Sequence, residues 1–443
     1  MQSVPFLTDL DTTRLGVVGS RDPLGVQGIW TRFGRHVVGN LSTVSNSVRD
    51  FTTLLLGYYF AELVAEDRLP GSELATFLKW EQLAAYARAH VNGDFSFRGT
   101  EKARLRLSER NGKVTLSDER VHQILANQKI YGLWGLYSVP ARTSGLLEGS
   151  PPRLTAPARE LVERNYLKVL TESGFDGGKR IIALLREKAV VVDTERGEGR
   201  RLLEAVAKVL KKEIRAHERG FYRHHLLYGC PADATHGGGE DSTDGRQKRL
   251  AELLASTFSS DFRWSPASVA RLAERAHGDG DIGDSLRDRL NRIYVCESVL
   301  APMTTLFTHL LGCNDVRVAV VLKRLGEKWD SGLRGTIAPE KVRLIQAELA
   351  GGVPEVGDRW VRMAEAAHDG EYETLVELLL AQSAWVMETR GGMRWIENRD
   401  GIFHVRFRDE QGALPDRDEM GGLWKHPYFL DSLRSVALAL REG

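Results

Sequence analysis

Four side chains able to ligate a borderline metal fall within thirteen residues: His224, His225, Cys230 and His236. Imidazole nitrogen and thiolate sulfur are donors that suit zinc. Their spacing follows no zinc-finger pattern. The segment carrying the last of them, ADATHGGGEDSTDGR over residues 232–246, is polar and glycine-rich, which makes a poor rigid cage and reads as a flexible loop. The preferred reading is therefore loop histidines, with no metal and no cofactor. Asp279, Asp281 and Asp284, in HGDGDIGD, offer oxygens to calcium or magnesium. The glutamate that closes an EF-hand loop is missing downstream, so a polar loop with a helix cap is expected. Glu388, Glu397 and Asp400 are carboxylates of the kind a restriction-type nuclease sets on adjacent strands, but no lysine stands in the required place. The phosphate-cradling G-x-x-x-x-G-K-[ST] loop, the G-x-S-x-G elbow and a histidine pair at metalloprotease spacing are all absent, as is an HxK phosphodiesterase pattern. A non-enzymatic role is preferred. A divergent metal-dependent nuclease, its site assembled from distant carboxylates, is the alternative of a different class.

The densest positive charge lies between Lys179 and Arg223, with 13 Lys or Arg against 7 Asp or Glu. At 100° per residue, a continuous helix from Arg201 to Arg219 places Arg201, Lys208, Lys211, Lys212, Arg215 and Arg219 in an arc of about 100°. Leu203, Val206, Leu210 and Ile214 fall opposite. Such a face could neutralise phosphates without reading sequence, and Arg223 extends it. Phe221, Tyr222, His224 and His225 follow and add rings that could stack on bases. The competing reading is a solvated helix face balanced by acidic neighbours such as Glu204, four residues before Lys208.

The elements that must position these groups are mostly helices. Leu41, Val44, Val48, Phe51, Leu55 and Tyr58 recur at three- and four-residue steps, with Asn40 as the expected N-cap. The other face carries little charge, so this helix is expected to be covered on both sides. A second helix is expected over 74–89, followed by an Asn92-Gly93-Asp94 turn. Tyr131, Trp134 and Tyr137 recur every third residue beside Gly132 and Gly135. Rings at that spacing beside bare backbone are expected to serve close helix packing. Near the C-terminus, 384–389, 393–397 and 402–407 read as short strands, with turns at Gly391-Gly392 and Arg399-Asp400-Gly401, and a helix over 429–440 closes the chain.

The chain has 443 residues and a formal net charge of +1, so no global field draws it to nucleic acid or anionic membrane. Three scattered cysteines, Cys230, Cys296 and Cys313, argue against a disulfide framework. No apolar run is long enough to span a bilayer, and no basic start followed by an apolar stretch marks a secretion signal. A cytoplasmic protein without membrane contact is the expectation.

Several segments together carry a resemblance. They are Asp22-Pro23-Leu24-Gly25, Gly39-Asn40-Leu41-Ser42-Thr43, Arg49-Asp50-Phe51, Phe77-Leu78-Lys79-Trp80-Glu81-Gln82-Leu83 and Tyr131-Gly-Leu-Trp-Gly-Leu-Tyr. The chain resembles, over residues 15–160, a group of poorly characterised bacterial proteins from anti-phage defence islands, often found beside helicases and DNA methyltransferases. The Trp424-x-x-x-Tyr428-x-Leu430-Asp431 segment extends the likeness. The resemblance implies a cytoplasmic component of a multi-protein defence system and transfers no catalytic residues.

The expected fold is mainly α, with multi-helical domains and a small C-terminal α+β module. The expected division is 1–150 helical, 151–231 helical with the basic helix, 232–246 loop, 247–382 helical and 383–443 α+β. The expected function is an accessory or scaffold subunit of a bacterial anti-phage defence complex. Arg201, Lys208, Lys211, Lys212, Arg215, Arg219 and Arg223 would contact DNA or RNA, and other defence proteins would be partners. A winged-helix-like DNA-binding regulator is a further alternative.

Overall fold

The computed structural model describes residues 22–66, 72–171, 175–231, 241–258, 261–407 and 412–441. The fold is mainly α-helical, and the described residues form three two-stranded antiparallel pairs. Among the described residues, no helix is long and apolar enough to cross a membrane. All three cysteines are buried, and none is in a disulfide. The chain divides into two compact units. One joins the described residues up to Val37 to Asp261–Pro427; the other joins the described residues of 38–260 to those from Tyr428 onward. The boundary expected between residues 150 and 151 falls inside the second unit, at Ser150-Pro151-Pro152 in the turn between the paired strands Leu147–Glu148 and Arg153–Leu154.

The second unit is built around the helix Val48–Glu66, most of whose side chains are buried whichever way they point. The expectation of a helix covered on both sides therefore holds, and sparse charge was the right signal. Its start does not lie where the apolar spacing put it. Residues 42–47 turn instead, with Ser42 N–H donating to Ser45 Oγ at 2.6 Å. The helix packs on Glu73–Tyr86 at close range: a Cβ on Gly57 would come within 2.6 Å of the Phe77 ring and 2.8 Å of Trp80. Glu73–Tyr86 continues into a π-helical turn over Ala87–Val91. The aromatic segment ends the short helix Gln128–Tyr131 and begins the helix Leu133–Thr143. Trp134 stacks on Tyr58 with ring centroids 5.1 Å apart, and Phe51 meets Tyr137 edge-on at 5.0 Å. Tyr131 stays exposed, so two of the three rings serve packing.

Two features of this unit escaped the sequence. Lys113–Ser117 pairs with Ala189–Asp193, in register from Lys113 opposite Asp193 to Ser117 opposite Ala189. The interior also holds ion pairs: Arg88 with Asp50 at 2.6 Å and with Asp94 at 2.7 Å, and Arg49 with Glu218 at 2.9 Å.

In the first unit, the helix Pro266–Ala276 packs on Gly280–Leu311, which runs for 32 residues and contains Pro302. The HGDGDIGD run starts that long helix. Asp279 holds the N-cap position, and Asp281 and Asp284 follow in its first turns, where Asp284 meets His277 Nδ1 at 2.7 Å. Farther along, buried Glu297 accepts hydrogen bonds from Trp30 Nε1 and from the backbone N–H groups of Lys425 and His426. The strands Ile396–Arg399 and Ile402–Val405 form the C-terminal hairpin, turning at Asp400-Gly401. Residues 384–389, expected as a strand, end the helix Tyr372–Thr389 instead. Their apolar run continues the helical stripe of Leu375, Val376, Leu379, Val386 and Met387, all buried, and a run that short reads equally well in either period.

Candidate nucleic-acid interface and a buried histidine–cysteine cluster

The expected basic helix is two helices. Gly197–Val209 ends before Leu210, residues 210–215 form a loop, and Ala216–Tyr222 starts anew. The computed 100° arc therefore does not exist beyond Val209. The reason is a clamp from outside the segment. Arg49, on the Val48–Glu66 helix, donates from Nε to the Lys211 carbonyl and from Nη2 to the Glu213 carbonyl, each at 2.5 Å. Asn92 donates from Nδ2 to the carbonyls of Ala207 and Leu210, at 3.0 and 3.3 Å. These donors satisfy carbonyls in the last helical turn and in the loop just beyond it that otherwise need a partner. Leu210 and Ile214 anchor the loop by burying their side chains.

The clamp turns the loop's backbone inward and its cations outward. Arg201, Lys208, Lys211 and Lys212 are exposed, and Arg215 and Arg219 are half-buried. Two acidic neighbours that could offset them are engaged elsewhere. Glu204 accepts from Arg200 Nε at 2.8 Å. Glu218 is fully buried, accepting from both terminal nitrogens of Arg49 at 2.9 Å and from the Arg215 N–H at 2.8 Å. Burial alone would raise the Glu218 carboxyl; the Arg49 hydrogen bond and charge outweigh it and hold the group below its ordinary value.

Two parts of the expected surface fail. Arg223 is spent within the fold, donating to the Leu440 carbonyl from Nε at 3.1 Å and Nη2 at 2.8 Å. Phe221, Tyr222, His224 and His225 are buried and cannot stack on bases. Nor do Glu388 and Glu397 gather for metal chemistry: Glu388 is bonded by Arg394, and Glu397 by Arg399 and Arg406.

Neither His224 nor His225 is a loop residue. His224 and His225 sit on a π-helical turn, Arg223–Leu227, that continues the Ala216–Tyr222 helix. The chain then bends back through Gly229 and Cys230, whose φ is 59°, and the Cys230 N–H bonds the His224 carbonyl at 3.1 Å. His224, His225 and Cys230 are all buried, with one potential ligand atom from each lying within 4.8 Å of the others. Cys230 Sγ is 3.4 Å from His225 Nδ1, and that nitrogen is 2.7 Å from the Ser144 carbonyl oxygen. His236 lies outside the described residues.

Asn40, expected to cap a helix, braces this turn instead. Its Nδ2 donates to the His225 carbonyl at 2.6 Å, and its Oδ1 accepts from Gln247 Nε2 at 2.7 Å. Beside Cys230 opens a cleft of about 620 Å³, walled also by Asn40, Arg142, Thr143, Glu148 and Thr155. Spacing alone could not reveal the cluster, because the π-turn and the left-handed Cys230 create it.

No family model, curated protein or solved structure matches the chain.

Proposed function

We propose that this protein is a nucleic-acid-contacting accessory subunit of a bacterial anti-phage defence complex. In this reading, Arg201, Lys208, Lys211 and Lys212, flanked by Arg215 and Arg219, neutralise backbone phosphates. The observation that carries the proposal is the Arg49 clamp, which fixes the 210–215 loop by its carbonyls and leaves Lys211 and Lys212 exposed on a supported turn. A loop held this way spends little conformational entropy when it meets a polyanion. Contacts to phosphate position a duplex without reading it, which suits a subunit that works beside sequence-reading or duplex-opening partners. Membership of a defence complex rests on the likeness of the segments between Asp22 and Tyr137 to proteins of defence islands.

Gel-shift titration of short duplex DNA and of RNA at low salt tests the proposal. The wild-type protein is expected to retain at least one of them without sequence preference. Retention of neither removes the proposed interface.

A further inference from the structure

The histidine–cysteine cluster has a chemistry that the phosphate-contacting surface does not use. Two arrangements could explain a thiol beside an imidazole: a nucleophilic pair or a metal site. In a nucleophilic pair, the ring nitrogen facing sulfur must carry the lone pair that takes the thiol proton. Here the nitrogen nearest Cys230 Sγ is His225 Nδ1, and it also lies 2.7 Å from the Ser144 carbonyl. A carbonyl oxygen only accepts, so Nδ1 bears the proton, and Nε2 is the lone-pair nitrogen. An imidazole whose Nδ1–H is tied to a backbone carbonyl is the usual state of a metal-ligating histidine.

The remaining geometry agrees. Zn–S and Zn–N bonds of about 2.3 and 2.0 Å separate tetrahedral ligands by about 3.5 Å, and one ligand atom from each of the three residues already lies within 4.8 Å of the others, within reach of a common ion after side-chain rotation. The turn that bears both histidines is braced by Asn40 and by Gln247, which donates to the Leu226 carbonyl at 2.8 Å. Among the described residues, three protein ligands leave one tetrahedral position for a further ligand, and Cys230 borders the cleft.

We propose that Cys230, His224 and His225 form a Zn²⁺ site whose fourth position opens toward the cleft walled by Asn40, Arg142 and Thr155. The site is independent of the phosphate-contacting surface and stands whether or not that surface binds nucleic acid.

Tag-free, chelator-stripped full-length protein titrated with Co²⁺ tests the site, since cobalt reports thiolate and tetrahedral ligation optically. Roughly one equivalent per chain is expected to bind, with a thiolate-to-cobalt band in the near ultraviolet that Zn²⁺ abolishes by displacement. Cys230→Ser is expected to remove that band, and His224→Gln to weaken Zn²⁺ binding by about 10-fold or more. Wild-type protein that takes up no stoichiometric Co²⁺ overturns the site, as does a thiolate band that survives Cys230→Ser. The wild-type titration decides the question even if a variant fails to fold.

Discussion

Two consecutive breaks in one helical stretch do opposite things. At 210–215 the backbone faces inward, where Arg49 and Asn92 hold its carbonyls, and lysines face outward. At 223–230 the side chains face inward, and His224, His225 and Cys230 meet in the interior. The first break builds a charged surface from a buried arginine. The second builds a ligand set from a tightened turn. Helical periodicity read across both would merge them into one basic, aromatic face. The difference shows that a surface is defined by what holds its backbone as much as by which residues it carries.

The largest expected effect comes from removing the support of the first break. Arg49→Ala leaves Glu218 as an uncompensated buried charge, and breaking such a pair costs about 3–5 kcal/mol. Urea melts should show that loss. At a temperature where the variant stays folded, duplex affinity should also drop although every surface lysine remains. Undiminished affinity in the folded variant would mean that the clamp has no part in presenting the loop.

Acidity separates the two regions next. Glu81 is fully buried and accepts from the Leu133 N–H at 2.6 Å and from Gln128 Nε2 at 2.7 Å, anchoring the helix that leads to Ser144 and the cleft wall. Burial raises its pKa from 4.5 to about 7. In that window the folded chain holds a proton that the unfolded chain has released, so stability falls as pH rises, by roughly 3 kcal/mol at most. Glu218 behaves oppositely: its depressed pKa contributes stability above the ordinary carboxylate range, and that contribution is lost as pH falls. Urea midpoints measured from pH 5 to 8 should decline less steeply in Glu81→Gln than in wild type. Equal slopes would show that Glu81 does not titrate in this window.

A smaller effect is expected at the seam between the two breaks. Arg223 holds the Leu440 carbonyl at the end of the helix Tyr428–Ala439. Arg223→Ala should cost about 1–2 kcal/mol in thermal or urea melts and leave duplex binding unchanged. A loss of binding without a loss of stability would return Arg223 to the interface.

Much of this architecture was legible in the sequence, for local reasons. The low charge around Phe51 and Tyr58 announced burial, Asp400-Gly401 marked a hairpin turn, and the apolar period near Leu430 marked the last helix. The misses share a nonlocal cause. Arg49 stops a helix 162 residues away at Lys211. The Lys113–Ser117 strand has its partner at Ala189–Asp193, and the Asn40 side chain goes to the carbonyl of His225 rather than to a helix end. Of the site, the exposed lysines were visible as a charge excess. The histidine–cysteine cluster was visible only as residue types, since its geometry depends on a π-turn that no spacing rule encodes.

The most direct test of the proposed phosphate contact at this loop is the salt dependence of duplex binding, followed by fluorescence anisotropy for wild type and Lys211→Glu/Lys212→Glu. The wild-type affinity should fall linearly with salt on logarithmic axes. The double variant should bind at least about 10-fold more weakly at low salt, with a slope shallower by about two phosphate contacts. A folded double variant with the wild-type affinity and slope would contradict the account.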